Sequence, residues 1–314
     1  VSYQKLSREF AMTELVTVTT TALQPIIDLV CNAVTSAHTR RAYSRALSDF
    51  MAWHSNTGQT GFTKATVQAH VTALRGQGVS ASSVNQRLTA IRKLANELAD
   101  NGVIDHSAAQ AIARAEGVRA EGKRLGNWLT QAQAQQLLEL PNVATLKGLR
   151  DRAILAVLLG CGLRREECAG LTVAHIQQRE GRWVIVDLVG KRSKTRSVPM
   201  PSWAKCAVDS YLLAAGVADG VLFRSVRRGD HITDQGMTAQ GIFDVVKIYA
   251  QEIGVDVRPH DLRRTFAKLA HKGNSPIEQI QLSLGHSSVQ TTERYIGVQQ
   301  DLSSAPCGAL GLRI

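Results

Sequence analysis

The chain has 314 residues, 44% of them hydrophobic and 20% charged, which is enough material for two domains with cores of their own. Its 37 lysines and arginines against 26 acidic residues leave a formal charge of +11, a cationic surface suited to a polyanion, of which nucleic acid is the commonest. The five cysteines include no CxxC pair or other short metal-ligand spacing, so free thiols in a reducing cytosol are expected rather than a disulfide framework or a structural zinc. The longest apolar run, residues 153–163, is too short to span a bilayer. No leader pattern follows Val1, so no signal peptide, no membrane and a cytoplasmic location are expected.

Residues 1–34 begin Thr-rich and weakly periodic, then carry the apolar patch Ile26, Ile27, Leu29 and Val30 after Pro25; an arm with one short helix is expected. From Ser36 the pattern turns helical, with Tyr43, Leu47, Phe50 and Met51 on one side and Arg40, Arg41 and Arg45 largely on others. A second helix holds Val67, Val71 and Leu74 and stops at Gly76 and Gly78. A third, after Ser80, lines up Val84, Leu88, Ile91, Leu94 and Leu98, with Arg87, Arg92 and Lys93 beside the stripe. Residues 35–113 therefore read as a small helical bundle with basic edges, and its arginines and Lys93 are either phosphate contacts or a solvated face. Residues 114–127 alternate charge, Ala and Gly without an apolar period, which is linker composition.

Thr130 can cap a helix whose Ala134, Leu137 and Leu138 face inward, and residues 149–159 form a helix apolar nearly all round, ending at Gly160, Cys161 and Gly162. From Trp183, WVIVDLV, GKRSKTRS and VPM predict two paired strands joined by a basic turn, the only sheet expected. Helical patterning returns at residues 204–213, after Gly241 with Ile242, Val245, Val246 and Tyr249, and from His260 onward. The tail, residues 298–314, is short and Gly-containing, with an apolar tip from Leu310 to the end.

Certain polar residues stand where chemistry is possible. His260 and Arg263, three apart at a helix start after Pro259, project from one face; an arginine there offers a planar fork to an anion. Leu284, Gly285 and His286 read as a helix end and a glycine turn, and Tyr295 lies in the short helix after Ser288. Arg164 follows the buried helix, and Glu167, three on, can hold its side chain. Lys191 and Lys194 both stand in the basic turn. Each alone has a bland reading: a surface pair, a turn histidine, a core-edge tyrosine, a capping cluster, solvated lysines.

Together, in order, they resemble one family. GLRREE around Arg164, GKRSKTRSVP around Lys191, HDLRRT from His260, LGHSS around His286 and TTERY ending in Tyr295 resemble the motifs of the tyrosine recombinases, or phage integrase family, across residues 127–297. That resemblance implies a mainly α fold of the DNA breaking-rejoining type: a helical core-binding bundle over 35–113, then a larger, mostly helical catalytic domain over 128–297 with a small antiparallel β-sheet. It implies a site-specific recombinase that cuts and rejoins DNA through a 3′-phosphotyrosyl intermediate without metal, ATP or other cofactor, in integration, excision or resolution. Arg164, Lys191, His260, Arg263, His286 and Tyr295 would form the active site, Tyr295 as nucleophile and Glu167 in support; the hairpin register counted back from Pro199 favours Lys191 over Lys194. The implied partners are a duplex recombination site, a homotetramer on paired sites and an accessory DNA-bending protein. The sequence departs from the family in lacking Asn-Pro at residues 105–108 and an evident helix in the tail, whose tip from Leu310 is a candidate plug for a neighbouring protomer. A nicking-resealing type IB-like topoisomerase and a non-catalytic DNA-binding regulator are the rival readings.

Overall fold

The computed structural model describes residues 20–59, 61–119, 127–190 and 195–297, and the chain divides into two compact units, Val1–Lys123 and Arg124–Ile314. The first unit is helical: α1 (Thr20–Asn32), α2 (Ala37–Asn56), α3 (Lys64–Gly76), α4 (Ala81–Asp100) and α5 (His106–Ala113). Ser36, Thr63 and Ser80 cap α2, α3 and α4, each side chain accepting from the amide three residues on, which satisfies one of the amides a helix start leaves unpaired. The apolar stripes of α2, α3 and α4 meet in one core.

Two elements differ from expectation. α1 is part of the bundle rather than an arm outside it, because Ile27, Val30 and Cys31, three and four apart, enter the same core. α5 adds Ala109 and Ile112 to it, too few residues to show a period in the sequence. The candidate phosphate contacts also separate. Arg40, Arg41, Arg45 and Lys93 are exposed, whereas Arg87 is paired with Asp49 at 2.9 Å and Arg92 donates to the Ala115 carbonyl, so both are held within the bundle.

The second unit opens with α6 (Gln131–Glu139), started by a reciprocal capping box between Thr130 and Gln133. α7 (Leu146–Cys161) is buried along nearly its whole circumference. It takes charge into the core as well: the Asp151 carboxylate, 0% exposed, accepts from Arg150 at 2.7 and 3.0 Å, from Lys147 at 2.7 Å and from the Tyr249 hydroxyl at 3.1 Å. A short α8 (Arg165–Ala169) follows. Then β1 (Ile176–Arg179), β2 (Arg182–Val189) and β3 (Thr195–Pro199) form an antiparallel sheet in that order. After α9 (Ser202–Ala215), β4 (Arg224–Arg227) and β5 (His231–Gly236) form a second, two-stranded sheet. The expectation of one sheet is thereby corrected: β1, β4 and β5 bury little apolar surface and carry no β-branched run to announce them. Asp230, in the turn between β4 and β5, accepts from the backbone amides of Leu146 and Lys147 and so caps α7. The unit closes with α10 (Ala239–Glu252), α11 (Pro259–Lys272), α12 (Ile277–Leu284) and α13 (Val289–Ile296). Lys191, Lys194, residues 120–126 of the linker and the tail tip from Leu310 lie outside the described residues.

His70 on α3 supplies a test of the first core. It is 2% exposed, packs against Phe50 and Trp53 at centroid distances of 5.1 and 4.8 Å, and neither ring nitrogen meets a hydrogen-bond partner among the described residues. Burial, then the Arg87 charge, push its pKa down from 6.5 to about 4 against the pull of Asp49. With the folded value below the unfolded one, the unfolded chain binds more protons as the pH falls below 6.5, and stability is lost down to about 4. This group should remove about 2 kcal/mol between neutral pH and about pH 5. His70→Leu removes the unpaired ring and is expected to flatten that slope, while leaving stability at neutral pH equal or about 1 kcal/mol higher; denaturant melts at the two pH values check both.

Candidate active site

The site is built where three helix ends meet. α7 stops at Gly162, which has φ +60°, and a Cβ there would lie 2.5 Å from the Phe266 ring of α11; both the left-handed backbone and the close ring require glycine. The chain then delivers Arg164 as the residue before α8. Glu167 grips it twice, accepting from the Arg164 amide at 2.8 Å and from Nη1 at 2.7 Å.

The same carboxylate receives a second guanidinium. Arg196 on β3 donates Nη1 and Nη2 to the two Glu167 oxygens, both at 2.8 Å, and Nε to the Ser283 carbonyl at 2.9 Å. Burial alone would push the Glu167 pKa up, but the hydrogen bonds and charge of Arg196, with those of Arg164, hold it down at about 2. Glu167 is therefore an anion shared by two cations, and it joins the start of α8, the strand after the basic turn and the end of α12. At that end Gly285 has φ +60° and a Cβ would meet Arg196 Cδ at 2.9 Å, so the turn before His286 is shaped around the arginine.

Arg263 on α11 is 1% exposed and heads the largest fully buried side chains. Its Nη1 donates to the Gly162 carbonyl at 2.5 Å and its Nη2 to the Leu284 carbonyl, the C-terminal ends of α7 and α12, where helix carbonyls carry partial negative charge. Burial, then Arg164, lower its pKa to about 10, which leaves it charged at neutral pH.

His260, one turn earlier on α11, lies beside Tyr295 of α13. The Tyr295 hydroxyl is 3.3 Å from His260 Nε2 and donates to the His260 carbonyl at 3.1 Å. The rings of His260 and His286 stand edge-on to Tyr295, at 5.3 and 5.2 Å with interplanar angles of 78° and 80°, while the Arg264 guanidinium lies over the tyrosine ring, 4.9 Å from its centroid. Both histidines are kept neutral. Burial, then Arg263 and Arg164, push the His286 pKa down to about 4; burial, then Arg263 and Arg264, lower that of His260. His286 Nδ1 is 3.0 Å from the Thr292 hydroxyl, and with that hydroxyl as donor the ring proton sits on Nε2. Burial raises the Tyr295 pKa, while Arg263, Arg264 and Arg164 draw it back.

The structure thus gathers His260, Arg263, His286 and Tyr295, with Arg164 and Glu167 alongside; a cleft of about 290 Å³ opens beside them, lined by Arg164, Arg165, Glu166, Phe243, Arg258, Pro259 and His260. Arg196 and Arg264 were missed in the sequence, though both left a signal. The period of two in a strand puts residue 196 on the buried face of Val198, and Arg264 stands four residues from His260, on the same side of a helix. Among the described residues no group of three or more His, Cys, Asp or Glu side chains is placed to hold a metal ion.

Comparison with known proteins gives a consistent picture. A model described as "Phage integrase family" matches residues 127–301, and one described as "Phage integrase, N-terminal SAM-like domain" matches residues 26–102. A tyrosine recombinase XerD of Pseudomonas aeruginosa is 32% identical over 286 residues, covering 86% of this chain and 92% of its own. A tyrosine recombinase XerC of Pelobacter propionicus is 33% identical over 275 residues, covering 85% and 86%. Among solved structures, XerH site-specific recombinase bound to its difH substrate aligns with a TM-score of 0.65 at 18% identity, over 87% of this chain and 79% of that one. A lambda integrase dimer bound to a core site aligns at 0.67 and 15% identity, over 89% and 78%. At those identities the structural likeness speaks to the fold.

The shared carboxylate can be tested without substrate. Glu167→Gln keeps the shape but leaves two guanidiniums facing a neutral amide, and is expected to cost about 3 kcal/mol in unfolding free energy. Its folded pKa lies below the ordinary 4.5, so its contribution is full above 4.5 and fades toward about 2. Wild type should therefore lose more stability across that acid window than Glu167→Gln, as read by denaturant melts at stepped pH.

Proposed function

The chain belongs to the phage integrase family, and on that premise we propose that it is a site-specific DNA recombinase that uses Tyr295 to break and rejoin strands. The observation that carries this reading is the tyrosine hydroxyl 3.3 Å from a neutral His260 Nε2, with Arg263 and His286 among its neighbours. A phosphodiester entering there would place its non-bridging oxygens against the guanidiniums of Arg164 and Arg263, which answer the charge that builds up in the transition state. His286 contributes a neutral N–H donor. His260 accepts the phenolic proton as the Tyr295 oxygen bonds to phosphorus. The bond from phosphorus to the 5′ oxygen breaks, and Lys191 supplies the proton that turns this oxygen into a hydroxyl.

The products are a 3′-phosphotyrosyl ester and a free 5′ hydroxyl. Because the ester stores the bond, the reverse attack by another strand's 5′ hydroxyl reseals the backbone without ATP or a metal. Two duplexes exchanging both strands need four cleavages, one tyrosine each, so the working assembly on paired sites is four protomers. In the first unit, the exposed Arg40, Arg41, Arg45 and Lys93 are the proposed backbone contacts, positioning the duplex without reading its sequence.

On nicked suicide duplexes, which lose the fragment bearing the 5′ hydroxyl, wild type is expected to accumulate a denaturation-resistant protein–DNA adduct, with none from Tyr295→Phe. Arg263→Gln should slow its formation about 100-fold or more. Lys191→Ala should be slow on ordinary DNA but recover when sulfur replaces the bridging 5′ oxygen, since a thiolate leaves without a proton; Lys194→Ala should show no such pattern. A regulator without chemistry would bind the same duplexes and give no adduct.

A further inference from the structure

The second arginine of HDLRRT stands outside the reaction scheme above, yet its surroundings are unusual. Arg264 is part-buried, and its Nε and Nη1 are shielded from solvent without a hydrogen-bond partner among the described residues. Its neighbour one turn on, Lys268, is another cation, itself stacked on the Trp128 ring at 3.9 Å. A guanidinium in such a place is costly unless something compensates it. What lies against it is the face of Tyr295, 4.9 Å from centroid to Cζ, and a π face attracts a cation.

Resting on the reading that Tyr295 is the nucleophile, we propose that Arg264 is a positioning residue for it: the stacked guanidinium clamps the phenol ring against the two histidines and stabilises the phenolate that attack requires. The geometry supports both halves. His260 and His286 meet the ring edge-on, so Arg264 on the face fixes the plane in which the oxygen points. A cation over a neutral phenol gains a weak quadrupole attraction, but beside a phenolate it gains a full charge, so the interaction strengthens along the reaction. Arg263 is less free to do this, since two of its donors are tied to helix-end carbonyls.

The charged and titratable groups that act on Tyr295 come from every side: His260, Asp261, Arg263 and Arg264 on α11, Arg164 before α8, and His286 before α13. Burial opposes ionisation of the phenol, Asp261 opposes it further, and Arg263, Arg264 and Arg164 favour it. Removing Arg264 therefore moves the phenol to a higher pKa, which reduces the phenolate fraction below that pKa and not above it.

The experiment is the rate of adduct formation on suicide duplexes as a function of pH, for wild type, Arg264→Met, Arg264→Lys and Tyr295→Phe, with thermal melts of each. Arg264→Met is expected to be about tenfold slower at neutral pH, with the deficit closing as the pH rises. Arg264→Lys, which keeps the charge but not the planar face, should lie between the two, and carries the same test should the Met variant not fold. Placing the more acidic difluorotyrosine at Tyr295 should restore most of the rate of Arg264→Met at neutral pH. A deficit equal at every pH and untouched by difluorotyrosine, or no deficit, overturns the proposal while leaving the Tyr295 reading standing. No adduct from wild type removes that reading and this proposal with it.

Discussion

The second unit depends on one carboxylate. Glu167 is nearly buried, yet it stays ionised because two guanidiniums and a backbone amide converge on it. Those donors come from the residue before α8 and from β3, and the β3 arginine reaches on to the last turn of α12. Without the anion, Arg164 and Arg196 would repel each other in a low-dielectric setting. With it, they are held in place at no further cost when a ligand arrives. Arg263 plays the complementary part, joining the carbonyl ends of α7 and α12 across 101 and 21 residues of sequence.

A consequence is a site in which arginines outnumber anions among the described residues: Arg164 and Arg196 share Glu167, and Arg263 donates to backbone carbonyls rather than to a carboxylate. Arg164, Arg263 and Arg264 surround Tyr295 while burial and those same cations keep His260 and His286 neutral. On the proposed reading, a phosphodiester entering the site would supply the balancing negative charge. Neutral histidines would suit that reading, because one could take a proton from the phenol and the other could donate to phosphate without adding to the repulsion.

Much of this was legible from residue order, and the rest was hidden for identifiable reasons. Apolar stripes at helical spacing located α2, α3 and α4, and the unbroken apolar run announced α7. Motif order pointed to His260, Arg263, His286 and Tyr295, which the fold brings together. Arg196 escaped because its partner Glu167 lies 29 residues away and its turn is crowded with other cations, so that charge alone could not tell a buried arginine from a solvated one. Arg264 escaped because an adjacent arginine carries the family motif. The packing of α1 was obscured by the Thr-rich run before it, and β4 and β5 by their short length and largely polar sequences. None of these was marked by local composition; each depends on a contact that the sequence alone does not display.

The most direct test of the central claim is to map the tyrosine that carries DNA. The chain has five tyrosines; Tyr43, Tyr211 and Tyr249 are buried in the two cores, Tyr3 lies outside the described residues, and Tyr295 stands beside His260 and His286. A trapped adduct digested with protease and nuclease, then sequenced by mass spectrometry, should show the nucleotide on the peptide containing Tyr295, linked through a 3′ phosphate. A nucleotide on any other residue, or a 5′ phosphate linkage, would contradict the account.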